Sequence, residues 1–306
     1  MNAPLVSICC ITYNHASFIR KSLDGMLMQK TSFPIEILIH DDCSTDGTTE
    51  IIKEYEAKYP SLIFALYENE NQYSKGAWVD GFNYRRAKGK YIAYCEGDDY
   101  WTDPLKLQKQ VDFMESHTDY SVCFHGIEIV NAVTGKSSER QYGLGEKSGI
   151  DITPEMYLHG KWVQPLSMIF RLSDFSFEWR KNYTCYVDTM EIYHLLKVGK
   201  GRFMNFIGGV YHIHPGGVAS SNTDVRNSWE NVRDMMEMYK CHGDDVLKEY
   251  YISNAFWRMD VCRRYDIKGG CRQLHLFTLK NSPLIELNMM FRCLKRSIKN
   301  CLKKKN

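Results

Sequence analysis

Hydrophobic and polar positions alternate in two periods along residues 1–115. Leu5 to Ile11 is a continuous apolar run, as in a strand buried on both faces. From Ser17 to Met28, the apolar Phe18, Ile19, Leu23, Met26 and Leu27 fall at helical spacing. Ile35 to Ile39 predicts a second strand, ending in His40-Asp41-Asp42. After the polar turn 43–47, Ile51, Ile52, Tyr55 and Tyr59 mark a second helix. Leu62 to Tyr67 and Tyr91 to Cys95 read as further strands. Asp103-Pro104 predicts a helix start, with Asp as N-cap and Pro at the first helical position, continued by Leu107, Val111 and Met114. Alternation at this pace predicts βαβ units in a mostly parallel sheet, an α/β fold.

The pattern then changes. Ser121 to Asn131 predicts a strand, followed by a Gly- and Ser-rich loop from Thr134 to Gly149. Leu166 to Arg171 and Arg202 to His214 read as strands flanking a helix over Val187 to Val198. From about Asn227 onward the pattern is helical, and Ser-Asn-Thr-Asp near Ser220 interrupts it. The expected organisation is an α/β domain over 1–220 and a helical C-terminal extension over 221–306.

Composition narrows the classes. Hydrophobic residues make up 44% and charged residues 25% of 306 residues, with a net charge of +2. That excludes a disordered or collagenous chain and a generally basic nucleic-acid binder. No apolar stretch reaches the roughly 18–20 residues of a membrane-spanning helix, and the start lacks a basic n-region and a cleavage site. The eleven cysteines show no CxxC pairing, which predicts reduced thiols used as small hydrophobes and a cytoplasmic location.

Polar residues cluster where an open parallel sheet binds ligands, beyond the carboxyl ends of its strands. Thr12, Tyr13 and Asn14 follow the first strand, Asp41 and Asp42 the second, and Glu96, Asp98 and Asp99 the fourth. One such acid is usually a cap or turn former. Acids after two strands face one crevice and repel each other unless a cation or donors intervene, and they suit a hard divalent ion such as Mg²⁺ or Mn²⁺. The chain has neither a GxxxxGK[ST] loop nor a GxGxxG after its first strand, which disfavours a P-loop nucleotidase and an ordinary dinucleotide binder.

Four segments carry a family resemblance: SICCITYNHASFIRKSL, IHDDCSTDGT, GKYIAYCEGDDYWTDPLKLQKQ and YHIHPGGVAS. Together they resemble family 2 glycosyltransferases of the GT-A fold, including those of bacterial surface-polysaccharide assembly, over roughly residues 4–220. The resemblance implies an inverting transfer of sugar from a nucleotide-diphosphate sugar, UDP-sugar favoured, to an acceptor hydroxyl on a glycan or lipid-linked glycan. It also implies Mn²⁺ or Mg²⁺. Thr12 and Tyr13, with Asn14 beside them, match positions at the nucleotide base, and Asp42 the acid at its polar edge. Asp98 and Asp99 match the acidic motif that meets the ribose and the metal-diphosphate. The common D-x-D reads Glu96-Gly97-Asp98 here, so Asp98 and Asp99 are the stronger ligands.

Asp188, in YVDTMEIYHLL, matches the family's general base, with Glu191 one helical turn later as the alternative. Without the resemblance, Asp188 reads equally well as a helix N-terminal acid. His214, in an HxH pair with His212, is expected at the metal or diphosphate. Trp101 is the aromatic expected to stack on an acceptor sugar, ahead of Tyr100 and Trp162; Gln164 and Arg171 are further acceptor-pocket candidates. A nucleotidyltransferase, or a non-catalytic nucleotide- or glycan-binding protein, are the competing readings.

The near-neutral charge hides an asymmetry. Residues 292–306 hold seven bases and no acid, leaving 32 bases against 37 acids in the rest. With Met289, Met290, Phe291, Leu294, Ile298 and Leu302 largely at helical spacing, residues 289–306 predict a basic amphipathic helix able to lie on an anionic membrane.

Overall fold

Val6–Thr12 forms β1, and all of it except Ile11 is buried, as its unbroken apolar run predicts for a strand inside a sheet. β2 (Ile35–Asp41) and β3 (Ile63–Tyr67) continue the parallel sheet on one side of β1, and β4 (Tyr91–Tyr94) pairs parallel to it on the other. The computed structural model describes residues 3–140, 149–161, 163–183, 187–217, 234 and 236–250, and a few positions between 276 and 287.

Beyond β4 the directions mix. β5 (Tyr100–Trp101), β6 (Tyr120–Asn131), β7 (Ser137–Arg140), β8 (Ile150–Ile152), β9 (Ile169–Arg171) and β10 (Lys200–Ile213) complete one ten-stranded sheet. Its order is β3-β2-β1-β4-β9-β6-β10-β5, with β7 on β6 and β8 on β10. β9 joins the halves antiparallel to both β4 and β6, whereas β10 runs parallel to β6.

Helices α1 (Ile19–Leu27), α2 (Thr48–Lys58), α3 (Asp80–Arg86), α4 (Lys106–Ser116), α5 (Pro154–Leu158) and α6 (Asp188–Val198) flank the sheet. α1 turns Ile19, Leu23 and Met26 into the core and lies so close to β5 that a Cβ on Gly25 would come within 2.8 Å of the Trp101 carbonyl oxygen. Only glycine permits that approach.

Three local features differ from the sequence pattern. α4 begins at Lys106, not Pro104. Asp103 Oδ1 accepts the Leu105 N–H at 2.9 Å, and the Pro104 carbonyl accepts Lys30 N–H at 2.8 Å, so the two residues form a turn pinned to the end of α1. β5 is too short to show a period. α3, with Gly81 and Asn83 inside it, is weak in helix propensity and holds through packing against β1 and β2.

The chain divides into two compact units, Met1–Gly217 and Val218–Asn306. In the second, 236–242 and 245–250 are helical, with Met236, Met238 and Leu247 buried. Most of the helical pattern expected after Asn227, and the whole of 289–306, lies outside the described residues. Among the described residues no helix is long and apolar enough to cross a membrane.

Candidate active site

The loops that leave β1, β2 and β4 open on one edge of the sheet because the three strands are parallel. The first two loops are laced together. The Asp42 N–H donates to the Thr12 carbonyl at 3.0 Å. Asn14 takes a left-handed φ of 56°; its Oδ1 accepts Thr45 N–H at 2.8 Å and its own N–H donates to Ser44 Oγ at 2.9 Å. Asp41 accepts Ser44 N–H at 3.1 Å and the Thr49 hydroxyl. Asn14 and Asp41 therefore shape the loops, whereas Tyr13 projects to solvent, 45% exposed.

Asp42 is buried, and its two carboxylate oxygens accept the backbone N–H groups of Gln72 and Tyr73 at 2.7 and 3.0 Å. His40 lies beneath it, Nε2 3.5 Å from Asp42 Oδ1. Its ring stacks on Phe82, and burial pushes its pKa down. Two backbone N–H donors thus hold the Asp42 carboxylate in one orientation, with the His40 ring packed beneath it.

β5 follows the acidic motif at once and pairs antiparallel with Gly209–Val210 of β10. That pairing delivers the end of β10 to the motif. Asp99 Oδ1 accepts His212 N–H at 2.9 Å, and His212 Nδ1–H donates to the Asp98 carbonyl at 2.6 Å. His214 Nε2 lies 2.9 Å from Asp98 Oδ2, and His15 Nε2 lies 3.7 Å from the same oxygen. Phe18 packs against both rings of the HxH pair, 5.3 Å from His212 and 4.5 Å from His214. Gly97 admits the β1 loop: a Cβ there would meet Thr12 Oγ1 at 2.5 Å and His15 Nδ1 at 3.0 Å.

Burial, then the charge of Asp98, raises the carboxyls of Glu96 and Asp99 well above the ordinary range. Glu96, Asp98 and Asp99 can each offer an oxygen within 4.8 Å of the others, and His15, Asp98 and His214 form a second such group. Asp98 Oδ1 and Asp99 Oδ2 are buried and have no hydrogen-bond partner among the described residues. Buried acceptors left unpaired are costly, and an oxygen-seeking divalent cation would satisfy them. The residues fit a metal.

Asp188 begins α6. It is accessible to solvent, accepts its own helix's Thr189 N–H at 2.7 Å, and has enough protein around it that desolvation raises its pKa. Its charge reaches the acidic motif: it adds to the upward push on Glu96, and the Tyr211 hydroxyl, raised first by burial, also feels Glu96, Asp99, Asp98 and Asp188. Glu191 is buried and accepts the Tyr84 hydroxyl at 2.9 Å. Asp80, from α3, adds a carboxyl pushed up to about 6 mainly by burial and held by the Tyr94 hydroxyl.

The remaining acceptor candidates are placed otherwise than the sequence suggested. Trp101 is 1% exposed, donates Nε1–H to the Leu166 carbonyl at 2.8 Å and lies under Lys106, whose Nζ is 3.8 Å from the ring centroid. It is a core residue with no face for a sugar. Arg171 is spent on the Tyr120 and Met114 carbonyls and on Asp174. Gln164 Oε1 accepts Arg140 Nη1–H at 3.1 Å. Trp162 lies outside the described residues. The sequence pattern assigns no site role to His15, Phe18, His40 or Asp80; His15 and His40 have only their nearness to strand ends, which many neighbours share, and Asp80, at the start of α3, has not even that.

The pattern of Glycosyl transferase family 2 matches residues 7–171. The chain is 28% identical over 256 residues to an Escherichia coli protein named UDP-Glc:alpha-D-GlcNAc-diphosphoundecaprenol beta-1,3-glucosyltransferase WfaP, covering 82% of this chain and 94% of that one. It spans about half the length of the first curated relatives it matches. Among solved structures, Staphylococcus aureus TarS in complex with UDP-GlcNAc superposes with a TM-score of 0.57 at 15% identity, covering 92% of this chain and 90% of that one. A mannosyltransferase from Pyrobaculum calidifontis in complex with GDP-Man and Mn²⁺ gives 0.56 at 14%, covering 97% and 81%. These likenesses are of fold, and the fold is the GT-A type expected from sequence. With the strand-end loops, the acidic motif and the family pattern all falling within one stretch, the chain belongs to glycosyl transferase family 2.

Proposed function

We propose that the protein transfers a sugar, with inversion, from a nucleotide-diphosphate sugar to an acceptor hydroxyl, with a UDP-sugar as the favoured donor and a bacterial surface glycan or its lipid-linked precursor as acceptor. What supports this reading is the fixed carboxylate of Asp42 beside the β1 loop that carries Tyr13, the acidic motif with His214, and the nearness in charge of Asp188 to Glu96. Asp42, oriented by backbone N–H groups, is a ready acceptor for a base N–H. Asp98 and Asp99, with His214, are the residues that would hold Mn²⁺ or Mg²⁺; such an ion, when bound, neutralises charge on a departing diphosphate.

The protein's own contribution is positioning and proton transfer. Asp188 takes the proton from the acceptor hydroxyl as that oxygen bonds to the anomeric carbon, while the bond from that carbon to the diphosphate oxygen breaks on the opposite face. A carboxylate raised by partial desolvation is a stronger base than a free one. The name of the E. coli relative supports a diphosphate-lipid acceptor, and a basic amphipathic 289–306 would suit one by resting on an anionic membrane. Thermal shifts with a panel of nucleotide sugars test the reading. A Mn²⁺-dependent rise with UDP or a UDP-sugar is expected, and no stabilisation by any nucleoside diphosphate overturns it.

A further inference from the structure

We infer that His15 completes a metal centre with Asp98 and His214, and that this centre takes a divalent transition metal in preference to Mg²⁺. The inference rests on the glycosyltransferase reading and deepens it by naming the ligand set and the kind of ion.

The geometry is that of a preformed half-shell. His214 Nε2 and His15 Nε2 lie 2.9 and 3.7 Å from one oxygen, Asp98 Oδ2. Two ligands each about 2.1 Å from a shared ion stand about 3.0 Å apart at a right angle and about 3.4 Å apart in a tetrahedron. Both observed separations are within a few tenths of an ångström of those values and all three ligand atoms lie within 4.8 Å of one another, so an ion entering there replaces the His214–Asp98 hydrogen bond. The His15 ring is not spent on another polar partner. Its side chain is 14% exposed, and Nδ1 is buried without a hydrogen-bond partner among the described residues.

The rings are also held. His15 and His214 meet edge to face at 5.9 Å between centroids, and Phe18 packs against both. The His15 N–H donates to Thr48 Oγ1 at 2.8 Å, fixing its backbone to α2. Three elements, the β1 loop, the acidic motif and the end of β10, therefore supply one ligand each. Rings restrained in this way lose little freedom on binding an ion.

The donor set decides the ion. Mg²⁺ prefers oxygen ligands and retains its waters, whereas imidazole nitrogen favours the transition metals. Two imidazoles and one carboxylate also leave positions open for diphosphate oxygens. Asp98 Oδ1 and Asp99 Oδ2, without a hydrogen-bond partner among the described residues, belong to the adjoining group formed with Glu96.

Mn²⁺ is the probe, titrated into the full chain and followed by the electron paramagnetic resonance of the free ion, with and without UDP. The wild type is expected to bind one Mn²⁺ without UDP and to keep it against tenfold Mg²⁺. His15→Phe, which keeps a ring beside Phe18, is expected to bind Mn²⁺ at least tenfold more weakly with its thermal melt unchanged. Equal affinity in H15F and wild type, or release of Mn²⁺ by equimolar Mg²⁺, overturns the inference. Should H15F fail to fold, pulsed resonance on the wild type decides: couplings from two imidazole nitrogens support it, and a coupling from one overturns it. The two readings fail separately. Mn²⁺ bound through His15 with no UDP binding would sink the nucleotide-sugar reading alone, while UDP binding with Mn²⁺ indifferent to His15 would sink the metal centre alone.

Discussion

His214 Nε2 and Asp98 Oδ2 lie 2.9 Å apart although 116 residues separate them in the chain. The two-residue strand β5 brings them together, because its antiparallel pairing with Gly209–Val210 lays the end of β10 against the motif that β5 continues. Asp98→Asn and His214→Ala are each expected to lower sugar transfer by about 10²-fold or more, the scale seen when one electrostatic contact to a reacting centre is removed. Initial rates with a UDP-sugar at saturating Mn²⁺ measure it. Rates within twofold of wild type in both would remove them from the site.

The acidic motif should make the metal-free protein less stable as pH rises. Glu96, Asp99 and Asp80 all have folded pKa values above their ordinary 4.5, 3.8 and 3.8, Asp80 reaching about 6. The folded state therefore holds their protons more tightly than the unfolded chain. The stabilisation is complete below those ordinary values and is lost as pH climbs through the raised ones. Melting temperature in EDTA should fall from pH 4.5 through 6 and above on account of these groups, and Mn²⁺ should restore part of it. A Mn²⁺-induced shift no larger at pH 7 than at pH 5 would contradict this.

Asp99→Asn is expected to raise the melting temperature of the metal-free protein while lowering turnover. Asn keeps an acceptor for His212 N–H, now at 2.9 Å, but removes a buried charge beside Asp98. Stability gained at the cost of activity is the usual mark of a site strained for function. Differential scanning calorimetry and a transfer assay on the same preparation check both halves.

Asp188→Asn should cost about 10²- to 10⁴-fold in kcat, the range for a general base, with donor KM nearly unchanged. The fold should survive, since Asp188 is accessible and its hydrogen bond from Thr189 N–H is within reach of Asn. A loss confined to KM would move the base elsewhere.

Lys106→Met should stabilise the protein. The Lys106 ammonium is fully buried, has no hydrogen-bond partner among the described residues and rests on Trp101; burial pulls its pKa from 10.5 down to about 7. The folded state binds that proton less tightly, so wild-type stability gains from this group as pH rises from about 7 to 10.5. Met, of similar length and no charge, removes the penalty. A gain of about 1 kcal/mol or more at pH 7, or about 2–4 °C per kcal/mol, is expected, shrinking toward pH 10. A lower melting temperature for K106M would show that the Lys106–Trp101 contact outweighs desolvation.

What could be read along the chain depended on whether neighbours in sequence were neighbours in space. The run Leu5–Ile11 became β1 and the helical spacing of Ile19, Leu23 and Met26 became the buried face of α1, because burial on two faces or on one helical stripe leaves a local trace. The acids after β2 and β4 were legible for the same reason: parallel strands place all such residues on one edge. Asn14 and Asp41 stood equally near that edge, yet the structure spends them on loop hydrogen bonds. Trp101, adjacent to the acidic motif, faces inward as part of a strand that the two-residue length of β5 concealed.

The sequence by itself determined the α/β alternation, the strand-end placement of Thr12, Asp42, Asp98 and Asp99, and the family that this pattern marks. Only the tertiary structure decided that β10 returns beside the acidic motif, that His15 and His214 approach one oxygen of Asp98, and that Trp101 is core. The first set follows from local periodicity and the polarity of parallel strands. The second depends on sheet order and on packing between distant segments, where separations of 2.9 and 3.7 Å are set by strand pairing that no local pattern encodes.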